Sequence, residues 1–250
     1  MSFLTLLLSA LLPAVSLAAP LPALTTQAAN HPHFLLAGDS TTAPGGGWGN
    51  SFLSLLVPPA TGTNHARNGQ TTVSFRKGGN WDKVLSELKT KKGGADVYVT
   101  IQFGHNDQKP DKGISIAQFG NNLVELGREV QKAGGHPILV TPLTRRSFSG
   151  SKVTENLSQE RTATISAARK LEAPLLDLNE ASTRYINAIG QAAASKLNLE
   201  KSDNTHLNEL GGKVFGRMVA DLLAKAVPAL KGAVRAEDGT SRAIREGKLP

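Results

Sequence analysis

Cysteine is absent from the chain, which removes thiol nucleophiles, thiolate metal sites, redox motifs and disulfide staples from consideration. A chain of 250 residues does without staples, because a domain of this size buries roughly 70% or more of the surface its unfolded form exposes. Charge is missing from the first thirty residues, which contain no Asp, Glu, Lys or Arg. Residues 3 to 19 form an apolar core followed by small residues, the pattern of a signal peptide (1–19) cleaved near Ala18 or Ala19. Pro13 interrupts this run short of the roughly 20 residues that a spanning helix needs. No second run of that length follows, so the chain is expected to be secreted into the extracellular space and not anchored in a membrane. Recognisable nucleic-acid motifs are also missing, and no nucleic-acid partner is expected. The glycine run Gly45-Gly46-Gly47-Trp48-Gly49 is not a phosphate loop, since no Gly-Lys-Ser or Gly-Lys-Thr follows it; it reads as a flexible rim.

What is present is the composition of an ordinary soluble domain, 40% apolar and 19% charged. The formal net charge is +8, none of it carried by the leader. A basic surface attracts polyanions such as acidic polysaccharide or anionic lipid. Most of the Lys and Arg residues are nevertheless interspersed with acids, as on a solvated surface. Lys89 to Lys92 and Arg145-Arg146 are the clusters. One sequon, Asn156-Leu157-Ser158, can accept a glycan where the host glycosylates.

Short apolar runs alternate with longer stretches of helical period, the pattern of β-α units around a parallel sheet. Strands are predicted at residues 33–37, 63–67, 96–103, 137–141 and 174–178. Helices are predicted at 48–57, 81–90, 116–132, 154–170, 181–197 and 209–226. The fold class is therefore α/β, a three-layer α/β/α domain over residues 31–230 with a five-stranded parallel sheet. Residues 231–250 are polar, lack an apolar face and are expected to be a loosely ordered tail.

Ligands of open parallel sheets bind beyond the carboxyl ends of the strands, and three marked segments fall there. The first, Gly38-Asp39-Ser40, puts a serine hydroxyl directly after an apolar strand. Taken singly it can equally be an Asx turn or a helix cap. The second, Asn68-Gly69, is a turn whose backbone amide is free to point at a ligand. The third, Gly104-His105-Asn106-Asp107, supplies a side-chain amide able to donate to a developing oxyanion. Far downstream, before the last helix, lies Asp203-Asn204-Thr205-His206. A serine needs a base to take its proton, and the base needs a carboxylate to hold its tautomer; three-residue spacing lets Asp203 reach the Nδ1 side of His206. By itself this segment also reads as a capping Asp beside a surface histidine.

The order Gly38-Asp39-Ser40, Gly69, Gly104-His105-Asn106-Asp107 and Asp203-x-x-His206 resembles the four sequence blocks of the SGNH (GDSL) hydrolase superfamily. The details Asp39-Ser40-Thr41, Gly47-Trp48-Gly49, Asn64-His65-Ala66-Arg67-Asn68-Gly69 and Thr205-His206 are most similar to its rhamnogalacturonan acetylesterase-like branch, carbohydrate esterase family 12. The resemblance covers residues 34 to about 225. It implies a flavodoxin-like sheet and a serine esterase with Ser40 as nucleophile, His206 as general base and then acid, and Asp203 as the partner of His206. The oxyanion hole is implied to consist of the Ser40 amide, Gly69 and Asn106. The implied substrate is an O-acetylated plant cell-wall polysaccharide such as rhamnogalacturonan in pectin, cleaved through an acetyl-enzyme.

Three other readings stay open on the sequence. Asp39, His105, Asp107, Asp203 and His206 are residue types that can ligate a metal, although the SGNH resemblance calls for no metal and no cofactor. A lipase or lysophospholipase with a long acyl pocket is the alternative esterase; aromatic residues at 5% of the chain favour a short acyl group. A non-catalytic, carbohydrate-binding module is the third. Trp48 is the candidate for stacking on a sugar, whereas Trp81 is assigned to the core. Arg145 or Arg146 can pair with a uronate carboxylate or simply be solvated. A monomer is expected.

Overall fold

The computed structural model describes residues 31–250. The leader expected at residues 1–19 lies outside the described residues. A parallel sheet is built from β1 (His31–Gly38), β2 (Thr61–Asn64), β3 (Ala95–Gln102), β4 (His136–Val140) and, after a two-stranded hairpin of β5 (Phe148–Ser149) and β6 (Lys152–Val153), β7 (Leu175–Leu176). The sheet order is β2-β1-β3-β4-β7, all pairs parallel, which is the flavodoxin-like order with its switch point between β1 and β3. The expected fold class is the one observed.

Both faces of this sheet are covered, so its central strands read as continuous apolar runs. Along β1 the side chains alternate: Phe34 and Leu36 belong to one core, Leu35 and Ala37 to the other. The first core is closed by α1 (Gly49–Leu53), α6 (Leu178–Ala194) and α7 (Glu209–Ala226), through Phe52, Ile186, Phe215 and Val219. The second is closed by α3 (Asn80–Lys91), α4 (Ile116–Lys132) and α5 (Ser158–Leu171), through Trp81, Leu88, Leu123 and Ala167. Helix α4 shows why the chain turns helical where it does. Ser115 accepts from the amide of Gln118 while the Gln118 side chain accepts from the amide of Ser115, a reciprocal cap. Phe119, Leu123, Leu126 and Val130 then form one buried stripe.

Three expectations need correction. The helix expected over 48–57 stops at Leu53, because the following segment is pulled across to the C-terminal region: Leu56 bridges Val234, and Val57 N–H donates to the Ala233 carbonyl at 3.0 Å. The strand expected over 63–67 is Thr61–Asn64, and a short helix not expected from sequence, α2 (Thr72–Lys77), follows it. Residues 231–250 are not a loose tail. They include α8 (Gly239–Glu246), capped by Asp238, whose buried Ser241 donates to Asp221 Oδ1 at 3.1 Å. Arg217 donates to the Arg235 carbonyl at 2.9 Å, and Tyr185 donates to the Lys248 carbonyl at 3.0 Å. Ala233 and Val234 are also buried in the first core, and Ile244 and Leu249 pack against it; these apolar residues are too few and too unevenly spaced to display a period in the sequence. A cavity of about 730 Å³ lies between α6, α7 and α8, lined by Tyr185, Met218 and Ile244 among others and by none of the residues of the site described next.

Candidate active site

Strand β1 ends at Gly38, and the chain turns at once. The Asp39 carbonyl accepts from the amides of Thr42 and Ala43 at 3.1 and 3.0 Å. Asp39 Oδ1 accepts from the Thr41 amide at 2.9 Å and the Thr41 hydroxyl at 2.8 Å. Between these fixed residues stands Ser40, 7% exposed. Under the turn runs a buried polar chain: Trp48 Nε1 donates to Gln102 Oε1 at 2.6 Å, and Gln102 Nε2 donates to Thr41 Oγ1 at 2.5 Å. A side chain at Gly47 would place its Cβ 2.4 Å from the Thr41 carbonyl group. The glycine run is thus a packed strut against the turn, not the flexible rim expected.

Helix α7 begins at Glu209, and the loop before it carries His206. Asp203 Oδ1 accepts from the amides of Thr205 and His206, both at 2.9 Å, while its Oδ2 lies 2.7 Å from His206 Nδ1. Burial pushes the Asp203 carboxyl up, but the His206 amide, the His206 ring and the Thr205 amide outweigh it and hold it down at about 2. The loop is pinned from three sides. Leu207 N–H donates to the Gly46 carbonyl at 2.8 Å, Arg146 N–H donates to the Asn204 carbonyl at 2.8 Å, and the Arg146 guanidinium donates to the His206 carbonyl at 2.6 Å and to Asn198 Oδ1 at 2.5 Å. The outcome is that His206 Nε2 sits 2.9 Å from Ser40 Oγ. An imidazole with a carboxylate on Nδ1 and a hydroxyl on Nε2 can accept the hydroxyl proton as an attack on a carbonyl proceeds.

Two further loops stand beside this turn: Arg67 N–H of the first donates to the Gly38 carbonyl at 3.1 Å, and Asn106 of the second reaches Gln70 of the first. Past β2, Gly69 has φ 74°, a conformation that an L side chain resists. None of the backbone hydrogen bonds among the described residues uses the N–H of Ser40 or of Gly69. Past β3, Asn106 is 5% exposed, with Nδ2 donating to the Gln70 carbonyl at 3.0 Å and Oδ1 accepting from Lys109 Nζ at 2.8 Å. Asp107 ties this loop to the start of α2, accepting from the Thr72 amide at 2.8 Å and hydroxyl at 2.6 Å. Burial pushes its carboxyl up to about 6, against the Thr72 hydrogen bonds and with help from the charge of Asp39.

The structure therefore brings Ser40, His206, Asp203, Gly69 and Asn106 to the carboxyl end of one sheet, and it separates others from them. Trp48 is a correction: it is fully buried, stacked edge-on against Phe52 and bonded to Gln102, so it cannot lie against a sugar ring. Trp81 is in the core as expected. Asp39 is fully buried, its Oδ2 facing His105 Nδ1 at 3.6 Å, longer than a hydrogen bond. Burial raises the Asp39 carboxyl, but His105 and Thr41 bring it below the usual carboxylate range. Among the described residues no three His, Asp or Glu side chains are grouped to hold a metal ion. Arg146 is 3% exposed and works inside the fold, whereas Arg145 is half-buried. Sequence reading gave no role to Gln102, Lys109 or Thr41, the last quoted only as part of a motif. Gln102 had a signal, an amide at the end of an otherwise apolar buried strand; exposed Lys109 had none.

The family model of GDSL-like lipases/acylhydrolases matches residues 36–214. The rhamnogalacturonan acetylesterase RhgT of Bacillus subtilis is 29% identical over 206 residues, covering 74% of this chain and 87% of RhgT. Among solved structures, the YXIM protein of Bacillus subtilis superposes with a TM-score of 0.70 at 25% identity, covering 78% of this chain but only 57% of that longer one. Axe2, an acetylxylan esterase from Geobacillus stearothermophilus, shares the fold with a TM-score of 0.55 at 18% identity, covering 78% of this chain and 93% of Axe2.

Proposed function

Because the chain belongs to the GDSL-like lipase/acylhydrolase family, and so is a carboxylic ester hydrolase, we propose that it is a secreted acetylesterase acting on O-acetylated plant polysaccharide of the rhamnogalacturonan type. The observation that carries this reading is the continuous chain from Asp203 through His206 to Ser40, with spacings of 2.7 and 2.9 Å. The naming of RhgT as a rhamnogalacturonan acetylesterase supports the substrate class, and the apolar segment at residues 3–19 supports secretion.

In this reading Ser40 Oγ attacks the acetyl carbonyl carbon while its proton passes to His206 Nε2. Asp203 stabilises the imidazolium that forms without taking the proton itself. The negative charge gathers on the former carbonyl oxygen, where the amides of Ser40 and Gly69 and the free Nδ2 hydrogen of Asn106 donate to it. The tetrahedral intermediate collapses as the C–O bond to the sugar breaks and the His206 proton goes to the departing sugar oxygen. Water then adds to the acetyl-enzyme, giving one proton to His206. Acetate leaves, and that proton returns to Ser40 Oγ. No step needs a metal or an organic cofactor.

The test is acetate release from acetylated pectin. The wild-type protein is expected to release acetate and the Ser40→Ala protein to lose nearly all of it; equal release by the two would overturn the reading. A long-chain p-nitrophenyl ester cleaved faster than the acetate would instead favour a lipase-type acyl preference.

A further inference from the structure

The arginines Arg76, Arg161, Arg217 and Arg245 are each matched to a carboxylate: Glu129, Asp177, Asp221 and Glu237 respectively. Arg145 and its neighbour Arg146 are not, and of these two Arg146 is buried inside the fold while Arg145 keeps exposed surface. The described residues include every Asp and Glu of the chain, and none of their carboxylates is within salt-bridge distance of it. Its guanidinium donates to Thr205 Oγ1 and, at 3.4 Å, to the His105 carbonyl. Both acceptors are neutral, and a guanidinium carries five N–H donors in a planar fork.

The position of this cation is specific. Thr205 directly precedes His206, and His105 directly precedes Asn106, so Arg145 spans the gap between the loop of the base and the loop of the amide. The two carboxylates nearest in charge are already engaged. Asp39 is held by Thr41 and faces His105, and Asp203 is bonded to His206. Burial weakens the hold of Arg145 on its proton, and Asp39 and Asp203 only partly restore it. A half-buried charge without a direct counter-ion is costly, and an anionic ligand that forks onto it recovers that cost. Arg67 and Lys109, both exposed, stand on the loops of Gly69 and Asn106 and give the same region of surface a positive bias.

We propose that Arg145 binds a carboxylate of the substrate, that of an acidic sugar at or next to the acetylated one, and so makes this site selective for acetylated uronate-containing chains over neutral ones. The inference rests on the esterase reading above and deepens it by assigning the charge of the substrate. A purely structural role for Arg145, as a staple between the two loops, is the competing explanation. It would weaken every ligand alike.

The experiment measures binding, so that turnover does not enter. An acetylated oligogalacturonate and the same oligomer with its carboxyls methyl-esterified are titrated into the Ser40→Ala protein and the Ser40→Ala/Arg145→Gln protein, with binding followed by calorimetry. The Ser40→Ala protein is expected to bind the free acid about tenfold or more tighter than the methyl ester, the size of one charge-assisted contact. In the double variant the ratio is expected to fall to within about twofold of unity, and Arg145→Lys to keep part of it. A ratio near unity in the Ser40→Ala protein, a ratio unchanged by Arg145→Gln, or no binding of either oligomer would each overturn the proposal. The esterase reading fails separately, through absence of p-nitrophenyl acetate hydrolysis by the wild-type protein.

Discussion

Lys109 Nζ donates to Asn106 Oδ1 at 2.8 Å, and this contact fixes the oxygen of the Asn106 amide on the ammonium side. With Oδ1 occupied by the ammonium and one Nδ2 hydrogen on the Gln70 carbonyl, the second Nδ2 hydrogen is the one that the proposed mechanism assigns to the oxyanion. The ammonium also polarises the amide and strengthens that donor. Lys109→Met is therefore expected to lower kcat for p-nitrophenyl acetate by about threefold to tenfold, with KM moving less, as for loss of one modest hydrogen bond that counts in the transition state. An unchanged kcat would separate Lys109 from the chemistry.

Asp203 combines two jobs that a single substitution can divide. Its Oδ1 accepts the amides of Thr205 and His206, and its Oδ2 meets the imidazole. Asp203→Asn can keep the first and loses the negative charge of the second. The expected result is a folded protein, judged by circular dichroism, whose kcat is down by roughly 10³ to 10⁴. A loss below tenfold would mean that the imidazole is oriented by something else.

Acid stability follows from the same carboxylate. The Asp203 carboxyl is held at about 2 in the folded protein, below its ordinary value of 3.8. A group depressed on folding stabilises the protein above its unfolded value, and that stabilisation drains away as pH falls from 3.8 towards 2. Glu87 acts in the same direction: burial raises it, but Thr63, His33 and His65 bring it below the usual range. In urea titrations between pH 5 and pH 2, the wild type should lose more stability than either Asp203→Asn or Glu87→Gln. Parallel curves for wild type and variants would show that neither carboxylate is linked to folding.

Adjacent glycines near Ser40 are expected to respond unequally. A Cβ at Gly47 would lie 2.4 Å from the Thr41 carbonyl group, whereas one at Gly46 would meet His206 Cβ at 3.4 Å. The first forces backbone apart and the second is an ordinary contact. Gly47→Ala should cost about 1–3 kcal/mol or more of stability and, on the proposed mechanism, most of the esterase activity, since the displaced turn holds Ser40. Gly46→Ala should stay much nearer the wild type in denaturation midpoint. Equal midpoints for the two variants would contradict the packed role of the glycine run.

Much of the site was readable because its parts are local. Asp203 and His206 are three residues apart and form one turn, and Ser40 follows an apolar strand after a glycine. Trp48 shows the limit of such reading. Its place near Ser40 in the chain was evident, but its direction was not, and Gln102 at the end of β3 draws the indole inward. The hairpin of β5 and β6 and helix α2 escaped because elements of two to six residues are too short to display a period.

The amino-acid order by itself determined the alternation of strand and helix, the apolar faces and the chemical type at each turn, since these depend on neighbours in the chain. Only the tertiary structure decided that Ser40 and His206, 166 positions apart, lie within one hydrogen bond, that Arg145 is left without a direct carboxylate partner, and that residues 239–246 fold back as a helix. Those outcomes depend on how the sheet orders its strands and on which distant surface each polar group finds. No window of sequence contains both halves of such a contact.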